Sequence, residues 1–308
     1  MNKEKKNIIT LLGLLTLVIM IFLHNQEVKE NIILGTELWL TKVFPSLLPM
    51  FIISELLIAY QFPDFMAKCF TYPFQKFFHT TPYGAFAFFM SLIAGTPSSA
   101  YILKQLVEEK KITEDDASYL LTFTFFSNPL FLITMLSILF PNHPKYIIGI
   151  ISIHYLTNLI IGRIFRPKHI TYQSFQINFK NNNLGSLLSK AIKNSINTLL
   201  LILGTICFYL MITSFLKTTN ETINTLIKGI LELTQGLNSL TTFYGSLQTK
   251  AYYAIFFISF GGLSIHTQIQ SIISDTKISY LPFLKGRILH VILSLLLLFI
   301  TTSIGIIS

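Results

Sequence analysis

Charge is the scarcest property of this chain. Only 12% of its 308 residues are Asp, Glu, Lys or Arg, against roughly 25% in an ordinary soluble domain. Cysteine is nearly absent. Cys69 and Cys207 stand far apart in apolar settings, so neither a disulfide framework nor a metal cluster follows from them. The sequence has no HExxH, no paired CxxC and no GxSxG, and Cys69 has no neighbouring histidine. Nothing here asks for an enzyme, a metal or a cofactor. Nor is there a basic, aromatic-interleaved soluble module, which argues against nucleic acid as a partner.

What remains is apolar. Hydrophobic residues make up 52% of the chain and the mean hydropathy is +0.60. Apolar runs near helix-spanning length recur from end to end, the pattern of an all-α polytopic membrane protein in a lipid bilayer. The runs are continuous and lack the two-residue alternation of a barrel strand. The formal charge of +9 is therefore read as topology, with basic loops on the cytoplasmic side of a cell membrane.

Met1-Asn-Lys-Glu-Lys-Lys precedes the apolar run Ile8–Leu23, and no small-residue cleavage pattern follows it. An uncleaved first span over residues 1–30, its N-terminus inside, is expected. A first repeat is expected over 31–165. In it Pro45 and Pro49 should break or kink the helix that continues into MFIISELLIAY, and 62–80 should lie along the interface. Arg163, Arg166, Lys168, Lys180, Lys190 and Lys193 fall in a stretch without acids, which sets a basic cytoplasmic linker at 166–190. A second repeat over 191–308 opens with the span 191–216. Residues 218–245 are polar and carry Gly and Asn, the expectation being an extramembrane turn with an amphipathic helix.

Two stretches organise the whole. SLIAGTPSSAYILKQLVEE, from Ser91, is an apolar run broken at Gly95 and restarted after Pro97. AIFFISFGGLSIHTQIQSIISD, from Ala254, repeats the device, with Ala87 and Gly95 falling on Ala254 and Gly262. Paired broken segments in two halves are the sequence mark of a transport site. Threading the runs from an inside N-terminus gives an inverted repeat with two broken or re-entrant hairpins and about six full spans. Lys277, Lys285 and Arg287 then fall outside, against the charge rule.

A helix starting inside the membrane presents free backbone donors and a partial positive charge. Thr96, Pro97, Ser98 and Ser99 open one such helix, and Gly261, Gly262, Ser264 and His266 open the other. Two facing tips of this kind make an anion site without a lysine. Ser127 and Asn128, beside Pro129, form a further break with a donor and an acceptor. These ten residues are the expected substrate site. Glu55, set among apolar neighbours, is the candidate coupling residue: a proton carrier, a cation ligand, a partner for a lysine or a hydrogen-bonded structural group. His154 and His290 are expected to pack and hydrogen-bond rather than act.

ELWLTKVFPSLLPMFIISELLI, SLIAGTPSSAYILKQL and LLTFTFFSNPLFLIT, in that order, resemble the YlbJ/SpoVV family of sporulation membrane proteins. The likeness is good over 33–216 and looser beyond, through SFGGLSIHTQ. That family carries "nucleoside recognition" gate domains, named for their similarity to part of the concentrative nucleoside transporters. The resemblance implies movement of dipicolinic acid, a small aromatic dicarboxylate, across the outer forespore membrane. Transport of this anion by alternating access between two gate repeats is the leading expectation. A nucleoside transporter and a non-transporting membrane scaffold of spore or envelope assembly are the alternatives. The sequence leaves open whether copies of the chain associate into a homo-oligomer.

Overall fold

The computed structural model describes residues 3–168, 183–216 and 218–307. Much of the stretch expected as a basic linker, 169–182, lies outside the described residues. Of the basic residues assigned to it, Arg163 belongs to a helix and Lys190 and Lys193 to another. The described residues form helices and connections without a strand.

Helix α1 (Lys3–Leu23) touches mainly α2 (Asn25–Leu38), and its apolar side chains, Leu11, Leu12, Leu15 and Ile19 among them, point outward. Outward apolar side chains all round suit a helix immersed in lipid. Next comes a departure from expectation. Pro45 and Pro49 do not break the chain: a π-turn at Trp39–Val43 joins α2 to α3 (Phe44–Ala59), and 25–59 run as one 35-residue rod. The wider turn supplies the slack that a proline ring and its missing donor require.

Helix α4 (Phe62–Phe78) buries Ala67, Phe74 and Phe78 against α5 (Pro82–Ala94). Then come α6 (Ser98–Glu108), α7 (Glu114–Leu120), α8 (Pro129–Leu139) and α9 (Pro144–Ile164). The second half has α10 (Leu184–Phe215), α11 (Glu221–Leu231), α12 (Leu233–Thr242), α13 (Leu247–Phe260), α14 (Gly262–Ile273) and α15 (Tyr280–Ser303). Four helices are long and apolar enough to cross a membrane, 25–59, α9, α10 and α15, and three shorter apolar helices accompany them. Of the six full spans expected, 117–140 is broken between α7 and α8, while 8–23 lies within the unbroken α1.

The neighbour relations repeat. α6 packs on α14 as α12 packs on α8; α9 packs on α13 as α15 packs on α7; α3 packs on α5 as α10 packs on α11. In this register the pair α5/α6 corresponds to α11/α12, and α7/α8 to α13/α14. The residue-level match of Gly95 with Gly262 therefore joins two breaks that occupy different places in the repeat. It also corrects the reading of 218–245 as extramembrane. Leu233, Leu237 and Leu240 are buried in the main core, and α11 crosses α12 where Gly229 meets Gly236 with no room for a Cβ. Small residues let helices approach closely where lipid supplies no hydrophobic drive.

The halves are tied at their edges. Lys104 on α6 reaches Asp275, after α14, at 2.7 Å, and Ser279 N donates to Ser118 Oγ at 2.8 Å. The Lys104 hydrogen bond holds the exposed Asp275 carboxyl below its usual range.

Candidate functional site

The breaks in four helical pairs meet at one small cavity. Its walls are Thr96 and Pro97 before α6, Ser127 and Asn128 before α8, Glu232 to Thr234 at the start of α12, and Ser264 and Ile265 in the first turn of α14. Val43, Ser46 and Leu47 close it from the π-turn and α3, Ile202 and Ile206 from α10. Every half-helix contributes its beginning. The preceding helix ends are turned to other work: Asn128 Nδ2 donates to the Ile93 carbonyl at 3.2 Å, and His266 Nε2 pairs with the Phe260 carbonyl at 3.0 Å. The cavity therefore faces donor-rich helix starts, with the positive ends of four short dipoles around it.

Two glycines set the geometry. Gly95 has φ +77°, and a Cβ there would lie 2.6 Å from Asn128 N. Gly262 has φ +72°, and its Cβ would lie 2.9 Å from Leu233 N. Each glycine is thus the point where the backbone of one broken pair rests against that of another, an approach a side chain would prevent. Gly261, at φ +89°, sits against the ring of Phe125.

The starts are capped by side chains that also line the cavity. Asn128 Oδ1 accepts from Phe131 N at 3.1 Å, and Glu232 accepts from Gln235 N at 2.6 Å. Gln268 Nε2 donates to Thr205 Oγ1 at 2.8 Å and lies 3.3 Å from Ser264 Oγ. Ser127 Oγ is buried without a partner. Among the described lining residues there is one carboxyl, and no lysine, arginine or histidine.

No family model and no solved structure matches the chain. It is similar to the sporulation integral membrane protein YlbJ of Bacillus subtilis strain 168, at 28% identity over 332 aligned positions that cover 94% of this chain and 81% of that protein. With its long apolar helices, the chain is an integral membrane protein.

The expected site residues are placed unevenly. Thr96, Pro97, Ser127, Asn128 and Ser264 line the cavity. Ser98 and Ser99 are buried in the first turn of α6 outside it, Ser98 bonding back to the Gly95 carbonyl. Gly261 and Gly262 shape the break without lining it. His266 is turned away, its Nδ1 on the Tyr280 hydroxyl at 2.5 Å. Glu55 is not at the cavity either. Its carboxylate accepts from the Tyr101 hydroxyl and from Asn194 Nδ2, which ties α3 to α6 and α10.

A role for Glu55 as an interhelical clasp predicts that Glu55→Gln loses ~1–2 kcal/mol of stability. Thermal melting of the variant checks this. An unchanged melting temperature would return Glu55 to its candidacy as a coupling residue.

Glu232, Thr234, Gln268 and Ser46 were not anticipated. Glu232 carries the same signal that singled out Glu55, an acid between leucines in LIKGILELTQGL, but the polar residues around that run pointed to a loop. The stretch 121–128 also exceeds the expected break at Ser127-Asn128. It is unwound, and buried side chains take up its backbone groups. Arg287 Nη2 donates to Thr122 O at 2.9 Å, Asn158 Nδ2 to Phe125 O at 2.8 Å, and Ser127 N to His154 Nε2 at 3.2 Å. Non-helical backbone at membrane depth needs such partners. Arg287 is wholly buried, so it does not mark a loop, and of the three charges that conflicted with the topology Lys277 and Lys285, both exposed, remain. His154 and His290 hydrogen-bond within the core as expected, His290 Nε2 lying 3.1 Å from the His154 carbonyl.

Proposed function

We propose that this protein transports a small organic anion across a membrane, dipicolinate in a sporulating cell, by alternating access between its two repeats. The observation that carries the reading is the meeting of four helix starts, drawn from both repeats, at one uncharged-to-acidic cavity lined by hydroxyls and amides. Backbone donors and aligned dipoles hold an anion without a dedicated cation. A repeat whose halves share a central site is the general plan of secondary transporters. The similarity to a protein named for sporulation supports a membrane role in a spore-forming cell.

The cavity is about 60 Å³, well below the ~300–1,000 Å³ of a ligand pocket. A dicarboxylate enters when the repeats separate, and the ties between them at Lys104–Asp275 and Ser118–Ser279 open or re-form as they do so.

Glu232 favours a second reading. A buried carboxylate at a hairpin tip is a fit acceptor for ribose hydroxyls, which supports a nucleoside as the solute. Uptake into proteoliposomes of labelled dipicolinate, with uridine in parallel, separates the two. Saturable dipicolinate uptake that falls at least ~10-fold in Asn128→Ala is the expected result, since the side chain both caps α8 and lines the site, a loss of ~1.4 kcal/mol or more. Uridine uptake alone would put the nucleoside first. No uptake of either by folded protein would leave a scaffold role for assembly of the spore envelope.

A further inference from the structure

Glu232 is almost wholly buried, lines the cavity, and has no basic side chain beside it. The elements packed around it offer little to pair with. α8 and α12 carry no other titratable group, and His266 on α14 is occupied by Tyr280 and the Phe260 carbonyl. Tyr209 on α10 bonds Thr267, Cys207 on the same helix faces Thr36, and on α13 Lys250, Tyr252 and Tyr253 do not line the cavity. Lys228 on α11 opens to a different space. Arg287 stacks on Phe125 at 4.1 Å, and that ring stands between it and Gly261. What stabilises negative charge at Glu232 is thus the start of α12, whose Gln235 N it accepts, and the three other helix starts across the cavity. Those are the groups an incoming anion needs. The carboxylate and the anion would contend for one positive field in a space with no counter-cation.

A second space adjoins the same helix start. Behind the first turn of α12 lies a polar vestibule of about 460 Å³, lined by Glu27, Glu30 and Glu221 with Lys228 as its one basic residue. Thr234 faces the inner cavity and the next residue, Gln235, faces the vestibule, where its Nε2 holds Thr213 Oγ1 at 3.1 Å. Its Oε1 is buried and unpartnered. The partition between acidic vestibule and Glu232 is therefore one turn of helix with a spare acceptor in it. On the cavity side Ser127 Oγ, buried and likewise unpartnered, is the waiting donor for a ligand.

We propose that Glu232 is the proton carrier of this protein: it takes up a proton through the vestibule as the organic anion binds, and gives it up when the anion leaves. The proposal rests on the anion reading above. The proton adds to one Glu232 carboxylate oxygen from water on the loading side, and leaves to water on the other, so solute and proton move together. Glu55 has no part in it. The sign follows directly. Anion binding strengthens as pH falls through the titration of Glu232 and weakens above it, because an ionised Glu232 repels the ligand.

The test uses the full chain in proteoliposomes, labelled dipicolinate, and the membrane potential clamped at zero. With one pH unit across the membrane, acidic outside, the wild type accumulates dipicolinate about tenfold over its equilibrium level, the limit for one proton per solute. In Glu232→Gln, permanently neutral, dipicolinate reaches only the equilibrium level on the same gradient, whatever its exchange rate at equal pH. Glu232→Asp keeps a titratable cap and accumulates with a displaced pH midpoint, and it serves if the Gln variant does not fold. Wild-type protein in weakly buffered detergent takes up ~1 proton per dipicolinate bound. Exchange without gradient-driven accumulation or proton uptake would overturn the proposal and leave anion transport standing. So would a Gln variant that still accumulates, or an Asp variant with an unmoved midpoint. Absence of dipicolinate exchange, or transport of uridine alone, would remove the anion reading and this proposal with it.

Discussion

Gly95→Ala is expected to abolish the proposed transport and to lower stability by ~2–6 kcal/mol, the sum of backbone strain and forced repacking. At φ +77° and ψ −173° the residue holds a conformation that side chains avoid. The added methyl would also sit 2.6–2.8 Å from Asn128 N, Cα and Cβ. None of these is the far end of a flexible side chain. Relief comes only by moving α8's cap away from the α5/α6 break, and that contact is a wall of the cavity. Gly204→Ala is the control, because a Cβ there meets nothing within 4 Å. Thermal melting in detergent and dipicolinate exchange should both collapse for the first variant and stay unchanged for the second. Wild-type exchange by Gly95→Ala would show that the two breaks do not need this contact.

Arg287→Leu is expected to cost about 3–6 kcal/mol, since two hydrogen bonds from a charged donor are lost at ~1.5–3 kcal/mol each. Thr122 O and Asn158 Oδ1, both buried, would lose their donor. Stacking of the guanidinium on Phe125 goes as well. The effect should be local before it is global. Hydrogen exchange across the unwound residues 121–128 rises most, while α1 and the far end of α15 change little. Lys285→Leu, two residues away and exposed, leaves melting unaltered. Equal protection of 121–128 in the Arg287 variant and the wild type would sink the idea that this arginine pins the break.

The architecture was readable wherever a residue type constrains backbone directly. Gly95, Pro97, Asn128-Pro129 and Gly261-Gly262 announced their breaks, and the structure has one at each. Prolines in the rod were harder. Pro45 and Pro49 say that a donor is missing, not whether a π-turn will absorb the defect, which depends on packing of Trp39 and its bond to Leu199 O at 3.0 Å. Roles of buried charges were hardest. Glu55 and Glu232 look alike in sequence, both acids among leucines. What separates them is far away in the chain: Tyr101 and Asn194 come to the one, while the other is left with its own helix start. Arg287 misled for the same reason. Its partners, Thr122 and Asn158, lie in the other half, and charge counting assumes that an arginine seeks water.

The π-turn at Trp39–Val43 can also be viewed as a shift of phase. An α-helix advances ~100° per residue, so one extra residue in a turn rotates everything beyond it by that angle against everything before it. Upstream, α2 presents Gly35 to Cys207 of α10; downstream, Ser46 and Leu47 face the cavity. A rod of uniform pitch could not satisfy both, since aligning one face on α10 would swing the other into lipid. The turn lets a single span be a fixed prop along one half of its length and a chamber wall along the other.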